Sequence, residues 1–309
     1  MPVNNPIVSS LTAYVNEQAR PLMRKAFLGG DSISRMRKQL GVVEKATINL
    51  LDVKAGFADG KSCGFNPSGS TEFSQRPLNA GIIKSEQEWC WKKLWGKYLE
   101  SEYRVKAGEQ AMPFEEEITN DLVDMIKDEM EKAVWQAVSG DTGSSINEFD
   151  GLLTILAGET AATTNVAIAT GTAAYDAIVS VFMAIPEVVL KRNDVEILVS
   201  PELYRQFAME LVAKNLYHYD PANGAATDES YLLPGTNVRV RKVNGLAGTK
   251  KIIATYWDNI VYGCDLLGEE EEFRLWFDER NETFCFRALW NAAVNVAFPE
   301  YVTVGTIAE

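Results

Sequence analysis

Residues 45–83 set the hardest condition on the fold. Thr47, Asn49, Leu51 and Val53 alternate with Ile48, Leu50 and Asp52, the period-two pattern of a strand. A stretch rich in glycine and small polar residues follows from Ala55 to Ser70, carrying Phe57, Lys61 and Phe65. A second extended stretch runs from Thr71 to about Ile83 and carries Phe73 and Arg76. Two strands about a long glycine-rich tip form an extended hairpin. A lone hairpin buries too little apolar surface to stand in water. It must lie on another surface, its own core in a monomer or a neighbouring subunit in an assembly.

The flanking segments read as helices. Leu11, Val15, Ala19, Leu22, Met23 and Ala26 recur at helical spacing until Gly29-Gly30 breaks the run. Asp31 or Ser32 then caps a second short helix through Ile33, Met36 and Leu40. These helices have no obvious partner nearby in sequence, so they read as an arm that packs on something else. The segment is locally basic, with Arg20, Arg24, Lys25, Arg35, Arg37, Lys38 and Lys45 against Glu17, Asp31 and Glu44. It suits an acidic neighbouring surface or nucleic acid, and equally an ordinary solvated helix face. Residues 86–104 hold Trp89, Trp91, Trp95, Tyr98 and Tyr103 and read as a short amphipathic helix with a core-packing aromatic cluster.

The clearest helix begins at Pro113, with Glu115, Glu116 and Glu117 at the positive end of its dipole. Phe114, Ile118, Leu122, Met125, Ile126, Ala133, Val134, Ala137 and Val138 define its apolar stripe, and Gly140 ends it. Such a helix is ~40 Å long at 1.5 Å per residue, a structural beam. Farther on, a helix spans about 172–190 with a break at Pro186. A buried strand covers Val195–Val199, and Ser200-Pro201 opens another helix. Residues 217–230 are a polar loop carrying Tyr217, His218 and Tyr219. Pro234-Gly235 is a turn, 237–243 a strand and 245–248 a hairpin tip. Strands follow at 252–256, 259–262, 273–277, 283–298 and 301–307, with a turn at 278–282. The order of helical arm, hairpin, long helix, mixed insertion and returning strands is α+β.

Composition narrows the function. Thirty basic against 43 acidic residues leave a net charge of −13, which repels phosphates and argues against non-specific nucleic-acid binding by the whole molecule. The start of the chain lacks a signal-peptide pattern, and no apolar run approaches the ~20 residues of a membrane span. A cytosolic setting is expected, with Cys63, Cys90, Cys264 and Cys285 as reduced, mostly buried thiols. The single histidine, His218, and the lack of a G-x-S-x-G element give nucleophilic catalysis and histidine metal sites no support. Phosphate-cradling glycine motifs are missing as well. Glu269–Glu272 reads as a solvated turn. Asp220, Asn223, Asp228 and Glu229 miss the EF-hand pattern, and Asn281-Glu282-Thr283 is a sequon that matters only on secretion. No catalytic centre, metal or cofactor is expected, and the chain does not read as an enzyme. A carboxylate hydrolase and a monomeric binding module are the competing classes.

Several motifs, taken in order, resemble the major capsid protein family of tailed bacteriophages, the Hong-Kong-97-like fold. Asn147-Glu148-Phe149-Asp150-Gly151-Leu152-Leu153 follows the long helix. Ala184-Ile185-Pro186 leads through Asn193–Val199 to Ser200-Pro201. Leu232-Leu233-Pro234-Gly235 precedes a strand, and Val261-Tyr262-Gly263-Cys264-Asp265 leads back. The resemblance implies an N-terminal arm at 1–44 and an extended loop and following helix at 45–100. It implies a peripheral domain with a spine helix at 101–148, an axial domain at 149–262, and returning peripheral strands at 263–309. It implies a subunit that self-assembles into pentamers and hexamers of an icosahedral shell around double-stranded DNA, built in the bacterial host cytoplasm and resident in the virion capsid. Partners would be other copies of the chain, portal, scaffolding and decoration proteins, and packaged DNA on the inner face, with no membrane. An encapsulin-type nanocompartment shell is the alternative. No long helical segment precedes the arm, so a scaffold is expected as a separate protein. Some members cross-link loop lysines to asparagines next door, for which Lys61 and Asn281, Asn291 or Asn295 would serve. Candidate subunit-contact residues are Arg24, Arg35 and Arg37 on the arm, Phe57, Lys61, Phe65, Phe73 and Arg76 on the hairpin, and Tyr217 and Tyr219 in the polar loop. Ribbon and arm are both expected to bury their apolar atoms on sister molecules.

Overall fold

The computed structural model describes residues 11–15, 18, 22, 25, 26, 28–54, 56, 57, 69–90, 92, 96, 114–141, 146–216, 230–265 and 274–308. Two large sheets and a separate two-stranded hairpin organise these residues. The first is built on β12 (Thr283–Val296), the longest strand. Along it Phe284, Phe286, Ala288 and Trp290 are buried and alternate with half-buried residues, as a strand covered mainly on one face requires. Strand β4 (Gly81–Cys90) pairs antiparallel with β12 from Ala292↔Gly81 to Thr283↔Cys90. Strand β11 (Arg274–Asp278) forms a hairpin with β12, and β10 (Ile260–Cys264) pairs with its far end. Strand β1 (Arg37–Leu40) joins β10 in parallel.

Helix α2 (Phe114–Gln136) is the expected beam, 23 residues or ~34 Å long. Val123, Ile126, Met130 and Val134 bury in one cluster with Phe284, Phe286 and Trp290 of β12. The sequence stripe is rotated slightly from the real one. Met125 and Val138, assigned inward, are exposed at 38% and 41%, whereas Val123, Met130 and Trp135 lie inside. The helix ends at Gln136, short of Gly140. Ala137 remains tied to it, because its N–H donates to the Ala133 carbonyl at 3.0 Å, while its own carbonyl accepts from the Gly151 N–H at 2.8 Å.

The second sheet has the order β5-β13-β9-β6-β8-β7. Its strands are β5 (Thr164–Ile168), β6 (Val195–Val199), β7 (Ser230–Leu232), β8 (Arg239–Lys242), β9 (Lys251–Tyr256) and β13 (Thr303–Ile307). Helices α4 (Ala174–Ala184) and α6 (Pro201–Ala213) cover it through Ile178, Val181, Phe207 and Leu211. The Ser200 hydroxyl caps α6 by accepting from the Leu203 N–H, with Pro201 in the first turn. The break at Pro186 falls where expected, between α4 and the short α5 (Glu187–Leu190). Helix α3 (Leu152–Gly158) leads from α2 into this sheet.

Three readings from sequence are corrected. Residues 86–90 are strand, not helix, because alternation in β4 places every second side chain against β12's neighbours. Residues 37–40 are strand β1 rather than the end of the arm helix. That helix, α1, covers only Asp31–Arg35, and the backbone beyond it takes its hydrogen bonds from β10. Residues 245–248 are not a hairpin tip. Strands β8 and β9 both pair with β6, one parallel and one antiparallel, so the intervening chain crosses over between them. Strand β13 runs between β5 and β9 in the second sheet. Gly305 permits this, since a Cβ there would lie 2.5 Å from Val181 Cγ2 of the covering helix. Parallel pairs β1–β10, β5–β13 and β6–β8 sit among the antiparallel ones.

The crossover after β8 packs on α2. Gln136 Nε2 donates to the carbonyls of Gly245 at 2.6 Å and Ala247 at 2.9 Å. A Cβ on Gly245 would meet Trp135 Cδ1 at 2.1 Å and the Glu131 carbonyl oxygen at 2.4 Å, and a backbone atom cannot step aside. Gly245→Ala should therefore lower unfolding stability by about 1–3 kcal/mol or more in urea denaturation. Gly158→Ala, where a Cβ meets nothing within 4 Å, should be neutral or mildly stabilising in the same assay.

Candidate functional site

The hairpin is present as expected. Strand β2 (Lys45–Lys54) pairs antiparallel with β3 (Ser70–Asn79) in unbroken register from Lys45↔Asn79 to Lys54↔Ser70. Directly opposed residues share a face. On the inner face Ile48, Leu50 and Leu78 are buried against Val42, Val261, Ala293 and Ala297, which anchors the base on β10 and β12. Leu78 lies so close to the sheet that a Cβ on Gly263 would sit 2.5 Å from Leu78 Cδ2.

The outer face is the opposite. Leu51 stands directly across from Phe73 and both are open, at 55% and 81% exposure. Phe57, just past the end of β2, is 95% exposed. The pair Asn49–Gln75, joined at 2.9 Å, continues this face toward the base. A chain that exposes a cross-strand Leu–Phe pair carries a surface ready to be desolvated by a partner.

Arg76 belongs to the inner face, and it is used within the chain. Its Nη2 donates to Glu159 Oε1, just past α3, at 2.7 Å and to Asn295 Oδ1 on β12 at 3.4 Å. Asn295 Nδ2 donates in turn to the Pro77 carbonyl at 2.6 Å. These bonds clamp the hairpin base to both sheets' connecting elements. A neighbouring cleft is lined by Asn79, Ser139, Glu148, Asp150 and Asn295. Asp150 there accepts from the Ser139 N–H at 2.8 Å and so closes the turn after α2.

The arm is a correction. Leu11, Val15, Leu22, Ala26, Ile33 and Met36 are buried in the same cluster as α2, so the leading segment packs on its own chain. Lys25 Nζ reinforces this by donating to Asn120 Oδ1 at 2.8 Å. The reason is the apolar stripe of α2, which offers a partner distant in sequence. Arg35 and Arg37 remain exposed on this docked segment. Arg24, Lys61, Phe65, Tyr217 and Tyr219 lie outside the described residues, as do His218, the 269–272 acidic run and the 220–229 carboxylates. Of the asparagines considered for cross-linking, Asn295 is 9% exposed and bonded internally, and Asn281 donates to Asp278 Oδ2 at 2.7 Å. Cys264 is buried while Cys90 and Cys285 are half-buried, and none of the three is in a disulfide; Cys63 is outside the described residues. Among the described residues no three His, Cys, Asp or Glu side chains group as metal ligands, and no helix is long and apolar enough to cross a membrane.

No family model matches the sequence, and no curated protein does. Solved structures match the architecture across most of the chain. A chain of the satellite phage P4 procapsid including size determination (Sid) protein superposes with a TM-score of 0.65, covering 99% of this chain and 98% of that one at 11% identity. A chain from Gordonia phage Cozz gives 0.56 over 90% and 86% at 13% identity. One from the capsid of an empty GTA particle gives 0.53 over 92% and 90% at 13% identity. The chain therefore has the α+β Hong-Kong-97-like capsid fold.

The clamp at the base should be measurable. A double-mutant cycle with Arg76→Ala and Glu159→Ala should return a coupling of about 1 kcal/mol, as suits a half-exposed ion pair. Phe73→Ser should change the unfolding midpoint by an amount equivalent to less than ~0.5 kcal/mol, because its ring touches little of its own chain.

Proposed function

We propose that this chain is the major capsid protein of a tailed bacteriophage, a subunit that assembles with copies of itself into pentamers and hexamers of an icosahedral shell around double-stranded DNA. The observation that carries this reading is the hairpin: a firmly anchored base, an outer face bearing Leu51 and Phe73 in solvent, and Phe57 exposed just past the end of β2. Burying one such side chain on a neighbour contributes about 1.5–3 kcal/mol. Repeated around a ring, contacts that are modest singly close a lattice, since a head-to-tail interface that closes on itself gives rings. The capsid fold, matched over almost the full chain, supports the same conclusion. The net charge of −13 keeps the body from adhering to packed phosphate while leaving Arg35 and Arg37 exposed for neighbours or DNA. Portal, scaffolding and decoration proteins are the further partners of such a shell, assembled in the host cytoplasm.

Purified protein at rising concentration should form capsomers or closed particles, visible by negative-stain microscopy and light scattering. A single-subunit species at every concentration would sink the proposal. The paired change Leu51→Asp/Phe73→Asp should abolish or sharply weaken assembly while leaving the unfolding midpoint close to that of the unaltered chain. Particles that form equally well with both charges in place would remove the hairpin's outer face from the contact.

A further inference from the structure

The joint where the leading segment crosses the long helix holds a carboxylate in an awkward position. Glu131 of α2 is only 5% exposed. Its Oε2 accepts from the Ser32 backbone N–H at 3.2 Å. The Gly30 backbone presses on the same oxygen, since a Cβ there would lie 2.8 Å from it. Among the described residues no donor meets the buried Oε1. One turn along, Trp135 Nε1 donates to the Ser32 hydroxyl at 3.1 Å. Ile33 and Met36 complete the seat with buried apolar contact. The carboxylate thus touches the arm directly, and only one of its two oxygens is satisfied.

The charges around it give no relief. Helix α1 brings Asp31 and Arg35, both exposed, and Asp31 acts unfavourably. The preceding turn of α2 carries Lys127 and Asp128, and the residue after Glu131 is the exposed Lys132; none of them pairs with Glu131. The 3-10 turn at Asn244–Leu246 adds no charge. Burial holds the Glu131 carboxyl above the ordinary carboxylate range. Ser32 pulls it back, the Asp31 carboxylate pushes it up again, and the neighbouring Trp135 N–H pulls it down, without cancelling the shift.

We propose that this joint is a protonation-controlled latch, in which neutral Glu131 clasps the leading segment to the long helix and ionised Glu131 loosens it. The direction follows from linkage. The docked carboxyl binds its proton more tightly than the released one, whose reference value is 4.5. Docking strength is therefore full below that value and falls as pH rises through the raised, docked value. An ionised carboxylate with an unmet oxygen gains hydration by opening the joint, and the segment from Gly30 to Met36 is what opens. The proposal concerns the fold itself and holds whether or not the chain forms a shell.

Hydrogen–deuterium exchange on the full chain tests it, read on peptides spanning residues 30–36 from about pH 5 to about pH 8 and corrected for intrinsic rates. Light scattering at each pH keeps the oligomeric state constant across the series. Protection of these peptides should fall on the order of tenfold with rising pH, while peptides from β6 stay level. Glu131→Gln, which cannot ionise, should flatten the dependence and keep protection high. Asp31→Asn should move the loss to lower pH, since a neighbouring negative charge no longer raises the carboxyl. Protection that is level with pH in the unaltered chain overturns the latch, and so does an equal fall in Glu131→Gln. The unaltered series decides the question even if a variant folds poorly.

Discussion

Trp135 is the point through which distant parts of the chain are tied. Its ring is fully buried, its nitrogen reaches Ser32 of the leading segment, and the crossover glycine Gly245 lies flat against it. The residues just beyond it receive Gly151, whose backbone comes so close that a Cβ would lie 2.7 Å from the Ala137 nitrogen. Two connections, each about a hundred residues away in sequence, thus depend on one aromatic side chain near the end of one helix. The helix stops being regular just beyond it, where the Ala137 N–H still donates to the Ala133 carbonyl but the Ala137 carbonyl accepts from the Gly151 N–H and the Thr154 hydroxyl of the incoming chain.

From that fixed centre, the two sheets take different tasks. The first carries the hairpin on β10 and β12, and the second forms a separate apolar cluster under α4 and α6. Strands β10 and β13 join them, because the chain leaves the second sheet by one and comes back by the other. Within the second sheet a buried ion pair fixes the parallel strands. Arg241 Nε and Nη2 meet Glu196 Oε2 and Oε1 at 2.6 and 2.9 Å, and Trp257 Nε1 donates to the same carboxylate. With its partners all in place this pair specifies register more than it adds stability.

Strong local periods were legible in the amino-acid order. The hairpin's alternation, the proline and glutamates opening α2, and the Ser200-Pro201 start of α6 each follow from backbone chemistry within a few residues. What escaped depended on partners far away in sequence. Strand β4 reads as a helix because its tryptophans dominate the pattern, and only β12, some 200 residues on, makes it a strand. The crossover at 245–248 carries hairpin-like glycines, yet β6 occupies the place where β8 and β9 would have paired. The arm's self-docking required knowing that α2 has a second apolar flank. Of the contact candidates, Phe57 and Phe73 stand out in solvent, whereas Arg76 turned inward, a difference fixed by a single-residue step in strand parity.

The clamp formed by Arg76, Glu159 and Asn295 has a mechanical meaning. From Arg76 to the end of β3 at Ser70 the strand spans ~20 Å, so the ribbon is a lever whose fulcrum is that triad. One degree of tilt at the fulcrum moves Ser70 by about 0.35 Å over such a length. Three hydrogen bonds at the root therefore govern the aim of side chains farther along the ribbon, and small adjustments there translate into larger excursions where the ribbon reaches furthest.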